Sequence, residues 1–221
     1  MSAARSVGRI AGVTSSSHPM NEFDHTTEVR HGDIAAADGR SRDELVLVDG
    51  TRLRLRPLTR EDRDGLLSLF HRLSEESRWR RFMSPKPHLA PRELDYLTDV
   101  DHVAHEAFTA VDERDGSLVG VARYIRHGGS ECSAELAVEV ADEYQRRGIG
   151  TALCARVIAR ARDNRFPVLT ATTLWDNLAA RRLLRRLGFH ARRSQGREIE
   201  LALVLDPTGE NLAANEKGGI A

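Results

Sequence analysis

Apolar positions along the chain follow two periods. Residues 45–48 read LVLV, and after Asp49-Gly50 the segment 51–57 alternates, with Leu53 and Leu55 on one face and Arg52, Arg54 and Arg56 on the other. This spacing predicts two strands joined by a tight turn. Thr59 and Asp62 approximate a capping box ahead of Leu66, Leu67, Phe70 and Leu73 at helical spacing. Helical segments continue through 77–82 and, after Pro91, through 92–97. A hairpin follows, 107–111 and 118–125 around Asp115-Gly116, and then an alternating strand over 135–140. Ile149, Leu153, Val157 and Ala161 mark the buried stripe of a helix over 149–162. The β-branched run 168–174 predicts another strand. Asp176 or Asn177 caps a helix carrying Ala180, Leu183, Leu184 and Leu187, which Gly188 ends with Phe189 as its hydrophobic partner. A last strand is expected over 198–205.

The resulting order, β-β-α-α-β-β-β-α-β-α-β, predicts an α/β protein with a mixed sheet and helices on its faces. The folded domain is expected over residues 44–206. Residues 1–43, rich in Ser, Ala, Gly, Asp and Arg without an apolar period, are expected to form a disordered tail, and 207–221 a flexible one.

Charge and composition narrow the classes of function. The 221 residues carry 33 Lys or Arg and 33 Asp or Glu, so no bulk field recruits nucleic acid or an anionic membrane. Only Lys86 and Lys217 are lysines, so the positive charge is almost all arginine. No apolar run is long enough to span a bilayer, and the N-terminus lacks the apolar core of a secretory signal. Cys132 and Cys154 stand apart from any CxxC spacing and read as reduced thiols of a cytoplasmic protein.

The most informative stretch is AELAVEVADEYQRRGIGT, residues 134–151. Its strand runs through Gln145, Arg146, Arg147, Gly148, Ile149 and Gly150 into Thr151 and a helix. Backbone amides at a helix N-terminus point at a bound anion, and the helix dipole adds about half a positive charge. Gly148 and Gly150 allow close backbone approach, and the two arginines suit pyrophosphate. A Walker A loop needs a Gly-Lys-Ser/Thr ending that is absent, and the dinucleotide fingerprint needs three glycines at fixed spacing.

This loop resembles the acyl-CoA-binding signature Gln/Arg-x-x-Gly-x-Gly/Ala of the GNAT family of N-acetyltransferases. Asn177 and the closing Leu187-Gly188-Phe189 also stand where that family usually has Asn and Leu-Gly-Phe, and the resemblance extends from about Arg52 to Asp206. Residues 53–82, with Ser74-Glu75-Glu76-Ser77-Arg78 and Arg80-Arg81-Phe82, further resemble the acetyltransferase domain of bacterial Pat-type protein-lysine acetyltransferases. The resemblance implies the GNAT fold, with a mostly antiparallel sheet, and acetyl-CoA as co-substrate without a metal. It also implies that Val138 and Val140 offer backbone groups to the pantetheine arm and residues 145–151 hold the pyrophosphate. Asn177 touches the pantetheine arm or serves only as a helix cap.

Acetyl transfer needs a neutral amine, yet a lysine amine is uncharged in only about one molecule in a few thousand at pH 7. A general base therefore matters. Glu135, where many family members carry a catalytic glutamate, is the candidate, with Glu139 on the same strand face in reserve. Many relatives place a general-acid tyrosine at the position held here by Leu184. Tyr144 is near in sequence without an assigned role. The acceptor is a protein lysine, following the Pat-like resemblance, or a small amine such as a polyamine, amino acid or aminoglycoside. A chain that binds acyl-CoA as a sensor with weak turnover is the alternative from another class.

Two further clusters carry less. Asp99, Asp101, His102, His105 and Glu106 lack metalloenzyme spacing and lie where helix gives way to strand, beside an acceptor pocket or simply as loop polarity. Arg181, Arg182, Arg185 and Arg186, with Arg192, Arg193 and Arg197, form a basic surface without aromatic residues for base stacking, which argues against nucleic acid.

Overall fold

A computed structural model describes residues 43–127 and 133–205. The expected tails over 1–43, apart from Asp43, and 207–221 lie outside these residues, as does Cys132. An eight-stranded sheet runs in the order β1-β2-β3-β4-β5-β6-β8-β7. Its strands are β1 (Glu44–Val46), β2 (Arg52–Pro57), β3 (His105–Asp112), β4 (Leu118–Arg126), β5 (Ser133–Val140), β6 (Val168–Leu174), β7 (His190–Gln195) and β8 (Glu198–Val204). Every pairing is antiparallel except β5 with β6. A parallel neighbour requires a crossover, which the longest helix, α4 (Ile149–Asp163), supplies.

The α4 stripe is the expected one: Ile149, Leu153, Val157 and Ala161 are buried, with Cys154 and Ile158 beside them. It packs on β3, β4 and β5. Gly120 lets it approach, since a Cβ there would come within 3.2 Å of Leu153 and of the β5 backbone. Burial pushes the Cys154 thiol up to about 12, so it remains a core thiol.

Between β2 and β3 lie three helices, at the three helical segments the pattern marks although the summed order counts two: α1 (Arg63–His71), α2 (Glu75–Phe82) and α3 (Pro91–Thr98). They divide because Met83 takes a left-handed conformation (φ 50°) at the end of α2 and Pro91 starts α3. In α1 the buried stripe includes Leu69, while Leu67 is only half-buried. The Thr59–Asp62 capping box forms as expected. Asp62, drawn below the usual carboxylate range against its own burial, also takes two hydrogen bonds from Arg56 at 2.7 and 2.6 Å.

The hairpin β7–β8 departs from expectation, since residues 190–195 carry a strand the pattern did not signal. HARRSQ is exposed throughout and occupies the sheet edge, so nothing selects for apolar alternation. The helix before it, α5 (Leu178–Arg186), ends as predicted. Asn177 accepts the Ala180 N–H (3.1 Å), Gly188 sits at φ 90°, and Phe189 is buried.

Leu153, without exposure at the α4–β4 contact, offers a check on this packing. Leu153→Ala is expected to cost about 2–5 kcal/mol, read as a lower urea midpoint at unchanged slope.

Candidate functional site

The site is built around the place where β5 and β6 part. β6 pairs with β5 only at Ser133, Ala134 and Glu135, then continues to Leu174 alongside β8. On the other side, β5 stays paired with β4 to Val140. There, His127 N–H donates to the Ser133 carbonyl (3.0 Å) and Ala141 N–H to the Val119 carbonyl (2.9 Å). Odd-numbered residues of β5 therefore aim their backbone groups at β4, and Leu136, Val138 and Val140 aim theirs at the opposite edge. Beyond Glu135 that edge has no strand partner among the described residues, so Val138 presents both its N–H and its carbonyl there. Val140 presents its N–H, its carbonyl being taken by the Gln145 side chain at 3.1 Å.

Residues 145–151 lie just past this edge. A short 3₁₀ turn, Asp142–Tyr144, precedes them. Arg146 (φ 60°) and Gly148 (φ 88°) are both left-handed, which turns the chain into α4. No side chain caps α4 and its first turn holds no acidic residue, so the amides of Ile149, Gly150 and Thr151 stay unsatisfied from within the helix. A donor cluster at an uncapped N-terminus beside an exposed arginine suits a pyrophosphate, and an adjacent free strand edge suits an amide-bearing arm.

Individual loop residues divide their roles. Gln145 Nε2 reaches Val140 O, Asp142 Oδ1 (2.9 Å) and Ser77 Oγ (3.1 Å), so its side chain pins the loop to β5 and α2. Arg147 pairs with Asp49 of the β1–β2 turn and stacks over Tyr144, 5.4 Å from the ring centre. Arg146 is exposed. The Tyr144 hydroxyl donates to Asp112 Oδ2 (2.7 Å) and accepts from Arg114 (3.0 Å), so it ties the loop to the β3–β4 turn. That arrangement holds Asp112 well below the usual carboxylate range, chiefly through Arg114. Asn177 spends its carbonyl oxygen as the cap of α5.

On the face of β5 opposite α4 lie Glu135 and Glu139, beneath α2, which packs on β5 and β6. Their surroundings differ. Glu139 Oε2 lies 2.9 Å from Arg81 Nε, close for an ion pair but off line for a hydrogen bond. Glu135, 9% exposed, has as its side-chain partner the Thr172 hydroxyl, donated from β6 at 3.1 Å. Burial pushes its carboxyl up to about 7, against the lowering effects of Thr172 and Arg81 and with a small push from Glu200. A carboxyl that titrates at neutrality can take up a proton and release it again.

Thr172 escapes a reading of local motifs, because β6 brings it to Glu135 only through the fold. The acidic and histidine cluster of 99–106, by contrast, is spent on local capping and pairing. Asp101 caps three backbone amides, His102 pairs with Glu106 (2.8 Å), and Asp99 pairs with Arg60 (2.6 Å). Burial and Arg123 lower His105 to about 4, so it stays neutral against Arg123 Nη1 (3.1 Å). Among the described residues no group of three or more His, Cys, Asp or Glu is placed to hold a metal ion. None of their helices is long and apolar enough to cross a membrane.

Comparison with known proteins bears on the family and the fold. The Acetyltransferase (GNAT) family profile matches residues 71–189. An acetyltransferase of Pseudomonas aeruginosa is 36% identical over 152 residues, 66% of this chain and 80% of its own length. Acetyltransferase Pat of Mycolicibacterium smegmatis is 36% identical over 135 residues, 61% of this chain but 40% of Pat. The GNAT domain of S. lividans PAT aligns at a TM-score of 0.67 with 27% identity, covering 73% of this chain and 95% of that domain. The fold is shared at a TM-score of 0.59 and 19% identity by yncA of Salmonella typhimurium, solved with its cofactor acetyl-CoA, over 70% of this chain and 95% of that one. The chain belongs to the GNAT family and is an acetyl-CoA-dependent N-acetyltransferase with a domain like that of Pat.

Tyr144→Phe removes the hydroxyl shared by Asp112 and Arg114. It is expected to lower stability by about 1–3 kcal/mol, and thermal unfolding checks it.

Proposed function

We propose that the chain transfers the acetyl group of acetyl-CoA directly to a primary amine, a protein lysine, with Glu135 as general base. The observation that carries this reading is a buried glutamate, without an ion pair among the described residues and titrating at about 7, at the point where β5 loses its neighbour. Its rival on the strand, Glu139, is committed to Arg81. The lysine acceptor is supported by likeness to Pat, and the Pat-type resemblance of residues 74–82 falls on α2, above Glu135.

In this reading Val138 and Val140 pair with the pantetheine arm along the free edge of β5. A backbone amide of that edge faces the thioester oxygen, where preorganised donors are worth several kcal/mol as charge develops. The amides of Ile149, Gly150 and Thr151, with Arg146, hold the pyrophosphate, while Gln145 and Arg147 keep the loop in shape and Gly148 supplies its turn. Asn177 borders the arm through the helix end it caps. Glu135 takes a proton from the ammonium, directly or through water, and the neutral nitrogen attacks the thioester carbonyl. The C–N bond forms, the C–S bond breaks, coenzyme A leaves as the thiolate, and the second proton of the nitrogen passes to solvent water as the tetrahedral intermediate collapses to the neutral amide. Leu184, buried in α5, offers no proton at the general-acid position. A thiol of pKa about 8.5 makes a tolerable leaving group unaided.

Two measurements test this. In calorimetric titration, Gly148→Asp, which sets a carboxylate beside the loop amides, is expected to weaken acetyl-CoA binding at least about tenfold. Equal affinity in both proteins would remove the loop from the site. With lysine-containing protein or peptide acceptors, kcat/KM is expected to rise as pH climbs through about 7, because the base works only once deprotonated. Glu135→Gln is expected to abolish that limb and lower the rate roughly a hundred- to ten-thousand-fold. Retention of the limb would exclude Glu135, and turnover of small amines alone would exclude the lysine acceptor.

A further inference from the structure

Two threonines of β6 stand on either side of the place where β5 and β6 part. The last β5–β6 pair joins Glu135 to Thr170. Thr172, two residues further along, lies on the same face as Thr170, because side chains alternate along a strand. Thr170 Oγ1 is engaged within the zipped part of the sheet, 3.0 Å from His127 Nε2 and 3.5 Å from the Ala134 carbonyl oxygen. Thr172, the first residue on this face past the last pair, reaches back to β5 and donates its hydroxyl to Glu135 Oε1 at 3.1 Å.

A free carboxyl group turns easily about its terminal bond, whose rotational preference is broad and two-fold. One hydrogen bond to a single oxygen removes that freedom. Among the described residues the Thr172 hydroxyl is the hydrogen-bond partner of the Glu135 side chain, and Oε2 has none. The charged and titratable groups on the neighbouring elements have other partners. α2 brings Arg81, held 2.9 Å from Glu139 Oε2 of β5 itself. β8 brings Glu200, opposite Thr172 in register and 3.7 Å from Arg192. β4 brings Arg123, opposite Ala137 and bonded to the Leu97 carbonyl, and His127 follows, bonded to Thr170. None of them bonds the Glu135 carboxyl, so its orientation falls to Thr172.

We propose that Thr172 is a positioning residue for acetyl transfer: its hydroxyl holds Oε1 of Glu135, so that Oε2 is the oxygen that takes the proton of the acceptor ammonium. This rests on Glu135 being the base. The hydroxyl donates to Oε1 in both states of the carboxyl, and the proton gained from the ammonium resides on Oε2 until it is released to solvent. A hydroxyl donated to a carboxylate also favours the ionised form. The bond that aims Glu135 therefore works against burial and keeps part of the carboxyl deprotonated near neutral pH.

Full-length protein labelled with ¹³C at the glutamate δ-carbon is titrated by NMR, and the Glu135 signal is assigned by its loss in Glu135→Gln. Thr172→Val, which keeps the branched shape and removes the hydroxyl, is expected to raise the Glu135 midpoint by about 1 pH unit, the worth of one hydrogen bond to a charged group. Thr172→Ser is expected to restore the midpoint, and Thr172→Ala replaces the valine variant if that one does not fold. Acetylation of a lysine-containing peptide, or of a small primary amine if only that is accepted, is then followed up to a pH at which Glu135 is fully ionised in every variant. There Thr172→Val is expected to remain about tenfold slower in kcat at unchanged KM for acetyl-CoA, with recovery in Thr172→Ser. An unchanged midpoint in Thr172→Val, the same rise in Thr172→Ser, or full recovery of Thr172→Val at high pH overturns the positioning role and leaves the base reading intact. A Glu135 signal that titrates in the range of exposed glutamates, or no turnover of either kind of amine by the wild type, removes the base reading and this inference with it.

Discussion

A strand in the middle of a sheet that is paired on one edge only, for part of its length, is the constraint on which the rest depends. Buried peptide groups left without partners are costly, and most folds avoid them by zipping neighbouring strands to the end. Here β5 and β6 zip for three residue pairs and then separate. The separation exposes backbone hydrogen-bonding groups, opens a gap beside a glutamate, and places the uncapped start of α4 at the gap's end. An extended ligand with amides in its middle and phosphates at one end satisfies both sets of orphaned groups at once. Coenzyme A has that shape.

The same separation explains why the two glutamates of β5 behave differently. Glu135 belongs to the last pair before the strands part, so β6 and β8 still crowd it and deprive it of water. Glu139 lies past that point, where α2 reaches over and supplies an arginine. Four residues along one strand face thus separate a carboxyl poised at neutrality from one committed to an ion pair. A charged side chain stripped of water without a partner shifts its titration rather than remaining ionised. Glu135 takes that course, while Glu139 has Arg81 as its ion-pair partner.

Much of this was legible in the sequence, for identifiable reasons. The Asp49-Gly50 and Asp115-Gly116 turns, the Thr59 box, the Asn177 cap and the Gly188 stop are local devices, and local chemistry decides them. Alternation placed Glu135 and Glu139 on the face opposite Val138 and Val140. The pattern was silent where structure depends on neighbours distant in sequence. β7 is a strand because β8 offers it an edge, and HARRSQ carries no alternation of its own. The approach of Thr172 on β6 to Glu135 on β5 arises from strand register, which no local spacing encodes.

The exposed edge strand β7 has a consequence for how the molecule behaves among its own kind. An open edge is a template onto which another strand can zip, and sheet proteins that leave one bare tend to stick to one another. Here the terminal strand is short and fully exposed, and a register shift between Ala191 and Arg193 places Arg192 in the irregularity. Charge and irregular geometry together make a poor template. The arginines of this strand line an outer edge of the sheet and leave a further strand little to zip onto, while the gap between β5 and β6 lies open at the centre.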